Sequence, residues 1–491
     1  MEVKPNDCFT LMKRTAYMLF LLASAAGCSD DPSDATLPGE PSVGASPWYA
    51  AFSEEGGTAS AAVASNRARW NAECDAEWLT AEPADGCVAL TASPNGEVGS
   101  RSAYVYLSAG EEGEIPAWDS VYVFQSGRTT LDLSAEGTAN CYIAPTGTDC
   151  SFDASVKGNG GSDGASGYAA ACGLSVEGAA WADRLWEAAF DADKTRSSAV
   201  IDGSPVLRGG RVWLRTGSEP GNAVVAVRSA SGEILWSWHV WIPQDAPQDE
   251  SGNGYAWMDR NLGALNNAPG DISNRGMFYQ WGRKDPMLPS SVKYEDATGT
   301  YSAHNTQTGG GSGEWDYEGT ESRRTTVPPG NIGWSVRVPM TFIRQYGGTM
   351  SSYADWYLTL TEGGALDSYL WGSPDDAVPK TVFDPCPPGY RVPPVEAFTG
   401  DGPDDESPGW TGADYGKVWS GAGGSYFPCS GLMVLSTGLI SYTGSLGVYW
   451  SRTPGSGTAS AERLYLSTAG DRAPVGGAGR SYGHLVRCVR E

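Results

Sequence analysis

The sequence predicts a mostly β chain: two β-sandwich (Ig-like) modules followed by a larger α+β domain. Three observations predict it. Short runs of alternating apolar and polar residues recur, with turn clusters such as Pro83-Ala84-Asp85-Gly86 and Ser93-Pro94-Asn95-Gly96 between them. Glycine makes up 65 of 491 residues and charged residues only 19%, a balance that favours short strands and many turns over long helices. The length suits roughly three domains.

The first 27 residues read as an export signal. Lys13 and Arg14 supply the positive start, Met18, Leu19, Phe20, Leu21 and Leu22 a short apolar core, and Ala25-Ala26-Gly27-Cys28 the end. The core is too short to span a bilayer as a helix. Small residues directly before a Cys resemble the bacterial lipobox, which implies that Cys28 is lipidated and heads the mature chain. Met12-Lys13-Arg14 is an alternative start that would leave Met1 to Leu11, with Cys8, untranslated. Ser29-Asp30-Asp31 is similar to the acidic export signal that Bacteroidota place after the lipidated Cys. That resemblance implies a lipid-anchored protein of the outer membrane, facing the cell exterior. Residues 28–46, rich in Asp, Pro, Ser and Gly, read as a flexible tether.

Residues 47–128 read as a small antiparallel sandwich. Its strands include Trp70-Asn71-Ala72-Glu73-Cys74, Cys87-Val88-Ala89-Leu90-Thr91-Ala92, Tyr104-Val105-Tyr106-Leu107 and Val121-Tyr122-Val123-Phe124. Cys74 and Cys87 terminate facing strands and are a candidate disulfide. With Trp70, Trp78-Leu79, Pro83, Gly86, Asn95, Arg101 and Phe124-Gln125-Ser126-Gly127, the segment resembles the BACON module of Bacteroidota. Trp78 holds a core position of that module and reads as packing rather than ligand contact.

Residues 129–247 read as a second β-rich module. Pro145-Thr146-Gly147 reads as a hairpin turn that would set Cys141 opposite Cys150, a second candidate disulfide. The stretch from Trp181 to Phe190 reads as a short helix. Gly221 to Val227 and Ile234 to Trp241 read as a hairpin over Ser229-Ala230-Ser231-Gly232. In a strand, Trp236 and Trp238 share one face while His239 and Trp241 take the other, and one of the two faces is core. A lone His there reads as a hydrogen-bonded structural residue.

Residues 248–491 form the largest domain. Trp257-Met258-Asp259-Arg260-Asn261-Leu262-Gly263 and Gly276-Met277-Phe278-Tyr279-Gln280-Trp281-Gly282-Arg283 open it. Asp384-Pro385-Cys386-Pro387-Pro388-Gly389-Tyr390-Arg391-Val392-Pro393 stands at its centre, with Tyr426-Phe427-Pro428-Cys429-Ser430-Gly431, Tyr449-Trp450-Ser451 and Val486-Arg487-Cys488-Val489-Arg490 after it. Taken together these motifs resemble the Fibrobacter succinogenes major paralogous (FISUMP) domain, which is similar to C-type-lectin-like folds. The resemblance implies a disulfide between Cys386 and Cys488. Residues 293–337, rich in Gly, Ser and Thr around Trp315 and Tyr317, depart from it and read as a long surface insertion. A second departure is Gly400-Asp401-Gly402-Pro403-Asp404-Asp405-Glu406. Cys172 and Cys429 have no assigned partner.

The chemistry points away from catalysis. A net charge of −25, from 58 acidic and 33 basic residues, argues against nucleic acid and against an anionic membrane surface. Membrane contact is expected only through the lipid anchor. The chain has no Cys-x-x-Cys and three histidines, His239, His304 and His484, so neither a zinc site nor a catalytic triad is legible. Asp404-Asp405-Glu406 has hard oxygens but no calcium-loop spacing and reads as a solvated loop. Gly160-Gly161-Ser162-Asp163-Gly164 and Gly479-Arg480-Ser481-Tyr482-Gly483 match the nucleophile-elbow pattern but lack its strand-turn-helix setting. No cofactor is expected.

Candidate ligand residues lie between the strands of the last domain: Tyr442, Arg452, Tyr465, Arg472, Arg480 and Tyr482. Arg and Tyr anchor interfaces, and the C-type-lectin-like resemblance implies an exposed ligand face in this region. Trp410, Tyr415 and Trp419 flank the acidic loop; Trp410 and Trp419 are candidate platforms for sugar rings, with core packing the competing role. The expected function is non-enzymatic binding of a glycan or of a surface or host protein. A structural or accessory subunit of a surface appendage or glycan-uptake assembly and a carbohydrate-active enzyme are the alternatives.

Overall fold

The computed structural model describes residues 39–161, 173–188, 200–289, 300–301, 330–343, 356, 368–399, 410–420, 423–435, 438–456, 459–469 and 475–491. The chain is mostly β and divides into two compact units, Met1–Thr130 and Leu131–Glu491.

The first unit contains β1 (Val43–Ser46), β2 (Tyr49–Phe52), β3 (Gly57–Ser65), β4 (Trp70–Glu73), β5 (Leu79–Ala84), β6 (Cys87–Ala92), β7 (Arg101–Ala109) and β8 (Ala117–Gln125). They form two four-stranded sheets, β1-β3-β6-β5 and β2-β8-β7-β4. The period of two is clearest in β7, whereas the end of β8, Val121 to Gln125, is buried throughout. Val105, Leu107, Val121 and Val123 are buried and share one core with Leu79, Val88 and Leu90, while Tyr104, Tyr106 and Trp118 point outward. The Arg101 guanidinium lies 4.6 Å above the Trp78 ring, which packs against the edge of that core.

The proposed Cys74–Cys87 bridge is absent, and both thiols are free. Cys87 sits opposite Ala62 and Ala84 in the first sheet, whereas Cys74 follows β4 of the second. Strands that look like neighbours in sequence belong to different sheets.

The second unit begins with β9 (Leu131–Asp132), β10 (Cys141–Ile143), β11 (Asp149–Asp153), β12 (Ala179–Ala188), β13 (Ile201–Arg208), β14 (Arg211–Thr216), β15 (Gly221–Ser229) and β16 (Ile234–Ile242). The sheets β10-β16-β15-β12 and β13-β14-β11-β9 pack on each other through Tyr142 on Phe152, centroids 4.8 Å apart, and Phe152 on Trp238 at 5.3 Å. The expected hairpin at Pro145-Thr146-Gly147 is instead a crossing between these sheets. Cys141 therefore pairs in register with His239 and Cys150 with Leu214, and both thiols are free.

The helix expected from Trp181 to Phe190 is strand β12, antiparallel to β15 over Ala179–Ala188. Register shifts at Ala179/Trp181 and Arg184/Trp186 break its alternation. Ala182, Leu185 and Trp186 end up buried at a spacing of i, i+3 and i+4, which in sequence imitates a helix face.

The remaining strands are β17 (Asp249–Gly252), β18 (Tyr255–Met258), β19 (Phe278–Gln280), β20 (Thr300–Tyr301), β21 (Tyr390–Arg391), β22 (Trp410–Ala413), β23 (Gly416–Trp419), β24 (Ser425–Pro428), β25 (Leu432–Met433), β26 (Ile440–Ser441), β27 (Leu446–Pro454), β28 (Ser460–Ser467), β29 (Val475–Gly479), β30 (Gly483–Leu485) and β31 (Val489–Arg490). They build the sheets β17-β18-β31-β21 and β22-β23-β24, and a larger one ordered β20-β26-β25-β30-β27-β28-β29 with β19 also on β30. Helices span Gly330–Arg337 and Glu396–Thr399. A disulfide joins Cys386 to Cys488 and so fastens the loop before β21 to the segment before β31.

No packing boundary falls at residues 247/248, where the sequence reading separates two domains. One hydrophobic core runs from Cys141 to Val489. The reason is β16, which is buried on both faces. One face meets Phe152 through Trp238. On the other, Trp241 Nε1 donates to Ala264 O at 2.9 Å, and Ser237 Oγ lies 2.6 Å from Asp285 Oδ1. The Lys284 ammonium donates to Ser237 O and Oγ and to Asp285, so the buried charge is paired and hydrogen-bonded. Asn140 Nδ2 adds a second bridge, donating to Val382 O at 2.7 Å and Asp384 O at 2.8 Å.

Candidate ligand-binding face

The residues nominated from sequence go to three different places. Trp410 and Trp419 stack on each other, centroids 5.1 Å apart, within an aromatic group that includes Trp257, Phe398 and Phe427. They are core and not sugar platforms, because β22 and β23 pair with those rings turned inward.

Arg452 and Arg480 are buried as well. Arg452 donates to Ser373 O, Val392 O and Asp376, and Arg480 to Ser460 O and Ser368 Oγ while lying 4.4 Å above Trp281. Both guanidiniums are taken up by hydrogen bonds inside the domain, Arg452 by carbonyls of irregular chain and Arg480 by a strand carbonyl and a hydroxyl, a structural task and not an interfacial one.

Tyr442 is exposed, with φ of 64°, on the turn between β26 and β27. Tyr465, in β28, and Tyr482, on the turn before β30, are half-buried. Cys28, Arg472, Cys172, His304 and the Asp404-Asp405-Glu406 loop lie outside the described residues.

The sheet face that carries Tyr465 is built by register. Tyr279 of β19 sits opposite His484 of β30. The His484 ring lies 4.1 Å from Trp450 of β27, Trp450 sits opposite Arg463 of β28, and Arg463 opposite Gly476 of β29. One row thus crosses five strands. Tyr465, two residues beyond Arg463, shares its face, and its ring lies 5.2 Å from the Arg463 guanidinium carbon. The Tyr482 ring stacks on His484 at 5.5 Å. Leu464, Leu466, Tyr449 and Leu485 point the other way into the core.

Burial falls along the row, from Tyr279, Trp450 and His484, all buried, to Arg463 and Gly476, both partly exposed. Among the described residues, a Cβ placed on Gly476 would meet nothing within 4 Å, which leaves the position opposite Arg463 uncovered by them.

The Arg463 side chain has neither an ion pair nor a hydrogen bond among the described residues; its ring contact is with Tyr465. Elsewhere in this unit arginine side chains are ion-paired, as Arg260 with Asp245 and Asp259, Arg228 with Asp183 and Arg490 with Asp249, or hydrogen-bonded to neutral groups, as Arg283, Arg480 and Arg487. Burial lowers the Arg463 pKa from its ordinary value, with Tyr465, Glu462 and Tyr482 acting in the opposite direction. A half-desolvated guanidinium without an anion is an unfavourable arrangement that a bound acid would relieve. The sequence reading passed over Arg463. The available signal was the Arg-x-Tyr step in Arg463-Leu464-Tyr465, which puts both on one face of a strand, but its partners come from β27 and β29.

The buried thiols and imidazoles are held in their neutral forms. Burial pushes the Cys150 and Cys429 thiols up to about 12 and the Cys141 thiol well above its ordinary value, so none is a thiolate near neutrality. His239, held 2.8 Å from Asn222 Oδ1, is pushed down to about 3 by burial, and His484 is also held neutral, by burial and then by Arg463. Ser481 lies buried on the turn between β29 and β30, with a strand and not a helix after it. Among the described residues no three His, Cys, Asp or Glu gather as a metal site would need, and no helix is long and apolar enough to cross a membrane.

No family model matches the chain, and no curated protein matches it. Among solved structures, a Bacteroides ovatus GH5 xyloglucanase in complex with a XXXG heptasaccharide is 20% identical over 22% of this chain and 22% of that chain, with a TM-score of 0.16. A Bacteroides thetaiotaomicron protein is 20% identical over 21% of this chain and 99% of its own, with a TM-score of 0.14. A chimeric titin Z1Z2 is 13% identical over 42% and 97%, with a TM-score of 0.15. The chain spans less than a quarter of the xyloglucanase, and at these scores none of the likenesses bears on function.

Proposed function

We propose that the chain is a lipid-anchored cell-surface protein that binds a glycan or protein ligand without turning it over, through the β27–β28–β29 face of its second unit. The observation that carries this reading is Arg463, whose side chain has no ion pair or hydrogen bond among the described residues and lies against the half-buried Tyr465 ring, with no described atom near the Cβ position of Gly476 opposite it. Arg and Tyr in such a setting are the residue types that anchor recognition. The BACON-like and FISUMP-like sequence motifs, the lipobox-like Ala25-Ala26-Gly27-Cys28 and the acidic Asp30-Asp31 support the same reading.

The test is a glycan and host-protein array probed with the intact chain from Cys28 onward, with every bound compound recovered and checked for chemical change. Saturable binding with unaltered ligand is the expected result. Cleavage of a bound glycan would replace this reading with a carbohydrate-active enzyme. The anchor is tested separately: palmitate labelling of the expressed chain is expected to vanish in Cys28→Ala.

A further inference from the structure

Building on that reading of the face, we propose that its ligand is an acidic sugar, whose ring carboxylate docks on the Arg463 guanidinium beside Tyr465. Three features favour this chemistry. First, the site offers a planar fork of donors with no carboxylate opposite it among the described residues, in a chain where acidic residues outnumber basic ones by 58 to 33. A guanidinium left unmatched among so many acids suits a planar carboxylate taken from outside, which it can bind through two parallel hydrogen bonds.

Second, the flanking groups suit a sugar ring. Tyr465 and Tyr482 present half-buried aromatic faces, and neither hydroxyl has a hydrogen bond among the described residues. A ring with one apolar face and several hydroxyls uses both properties of tyrosine, its flat surface and its polar tip. Third, the floor is flat. β29 reads Val475-Gly476-Gly477-Ala478-Gly479, and a side chain at Gly476, directly opposite Arg463, would stand where the ligand must lie. The neutral, buried His484 beneath Tyr482 adds no competing positive charge, so recognition rests on Arg463.

The experiment is a calorimetric titration of the intact chain with a panel of glucuronate-, galacturonate- and sialate-terminated oligosaccharides. Neutral counterparts of the same oligosaccharides and a polyglutamate peptide serve as comparisons. At least one acidic sugar is expected to bind at least about tenfold more tightly than its neutral counterpart, and more weakly as salt rises. Arg463→Gln is expected to erase that preference, and Arg463→Lys to retain part of it, with the thermal melt of both variants unchanged.

Equal binding of acidic and neutral sugars, or a preference that survives Arg463→Gln, overturns the inference while leaving the binding function in place. Polyglutamate bound as tightly as any sugar overturns the sugar assignment in favour of an acidic peptide. A chain that binds nothing on the panel and nothing on the wider array defeats both.

Discussion

On the outer face of the β7–β8 pair, Tyr104, Tyr106 and Trp118 are 42%, 45% and 44% exposed, and the Tyr104 and Tyr106 rings stack at 6.2 Å. In the second unit Trp186, Trp236, Trp238, Trp257 and Trp419 are fully buried, and the half-buried Tyr465 of its largest sheet lies against Arg463. The first unit is built of sheets with one dry and one wet face, so its aromatics can stay outside at little cost. The second wraps irregular chain around a strand buried on both sides, and most of its rings fill that core. An exposed ring is therefore unremarkable in the first unit, whereas a half-buried charge with no counter-charge among the described residues of the second is a sign of recognition.

The largest effect that would sharpen this contrast is on the disulfide. Cys386→Ser opens a link spanning 102 residues and is expected to cost the second unit roughly 4–5 kcal/mol in the chain-entropy description. Urea melts of wild type and variant should show the loss in the second unit alone. Next, Trp419→Ala empties the aromatic group around Trp257 and Phe427 and should cost about 3–5 kcal/mol. In the same assay Tyr106→Ser on the first unit should stay within about 0.5 kcal/mol of wild type. Equal costs for the two would erase the distinction between the units.

A smaller effect comes from pH. The His239 pKa is held at about 3, below its ordinary 6.5, because the ring is buried. As pH falls below 6.5 the unfolded chain takes up a proton that the folded chain refuses, so stability drops steadily through that window. Between pH 6.5 and about 5 this one ring should cost the second unit about 2 kcal/mol. The slope of a pH-dependent melt is expected to flatten in His239→Gln.

The same contrast explains what could be read from the sequence. Strand β7 alternates cleanly because it has one buried face, and the β15–β16 hairpin was legible from its Ser229-Ala230-Ser231-Gly232 turn. The run Ile234 to Ile242 carries apolar residues on both sides, a pattern typical of a strand covered on two faces, and it marks the shared core that the expected boundary at 247/248 cut through. β12 misled because two register shifts gave it helical spacing. The Cys141–Cys150 pairing failed because only the sheet assignment separates those strands. Half of the binding face, Tyr465 and Tyr482, was accessible from residue type. Arg463 was not, since its significance lies in what stands opposite it, Trp450 and Gly476, and in the carboxylate that does not.

The claim that the second unit and not the first holds the ligand is tested most directly by two double variants of the intact chain, assayed on the same glycan array. The account predicts that Arg463→Gln with Tyr465→Ala abolishes binding, while Tyr104→Ser with Tyr106→Ser leaves it at the wild-type level. Binding lost in the second pair and kept in the first would contradict it and move the site to the outer face of the first unit.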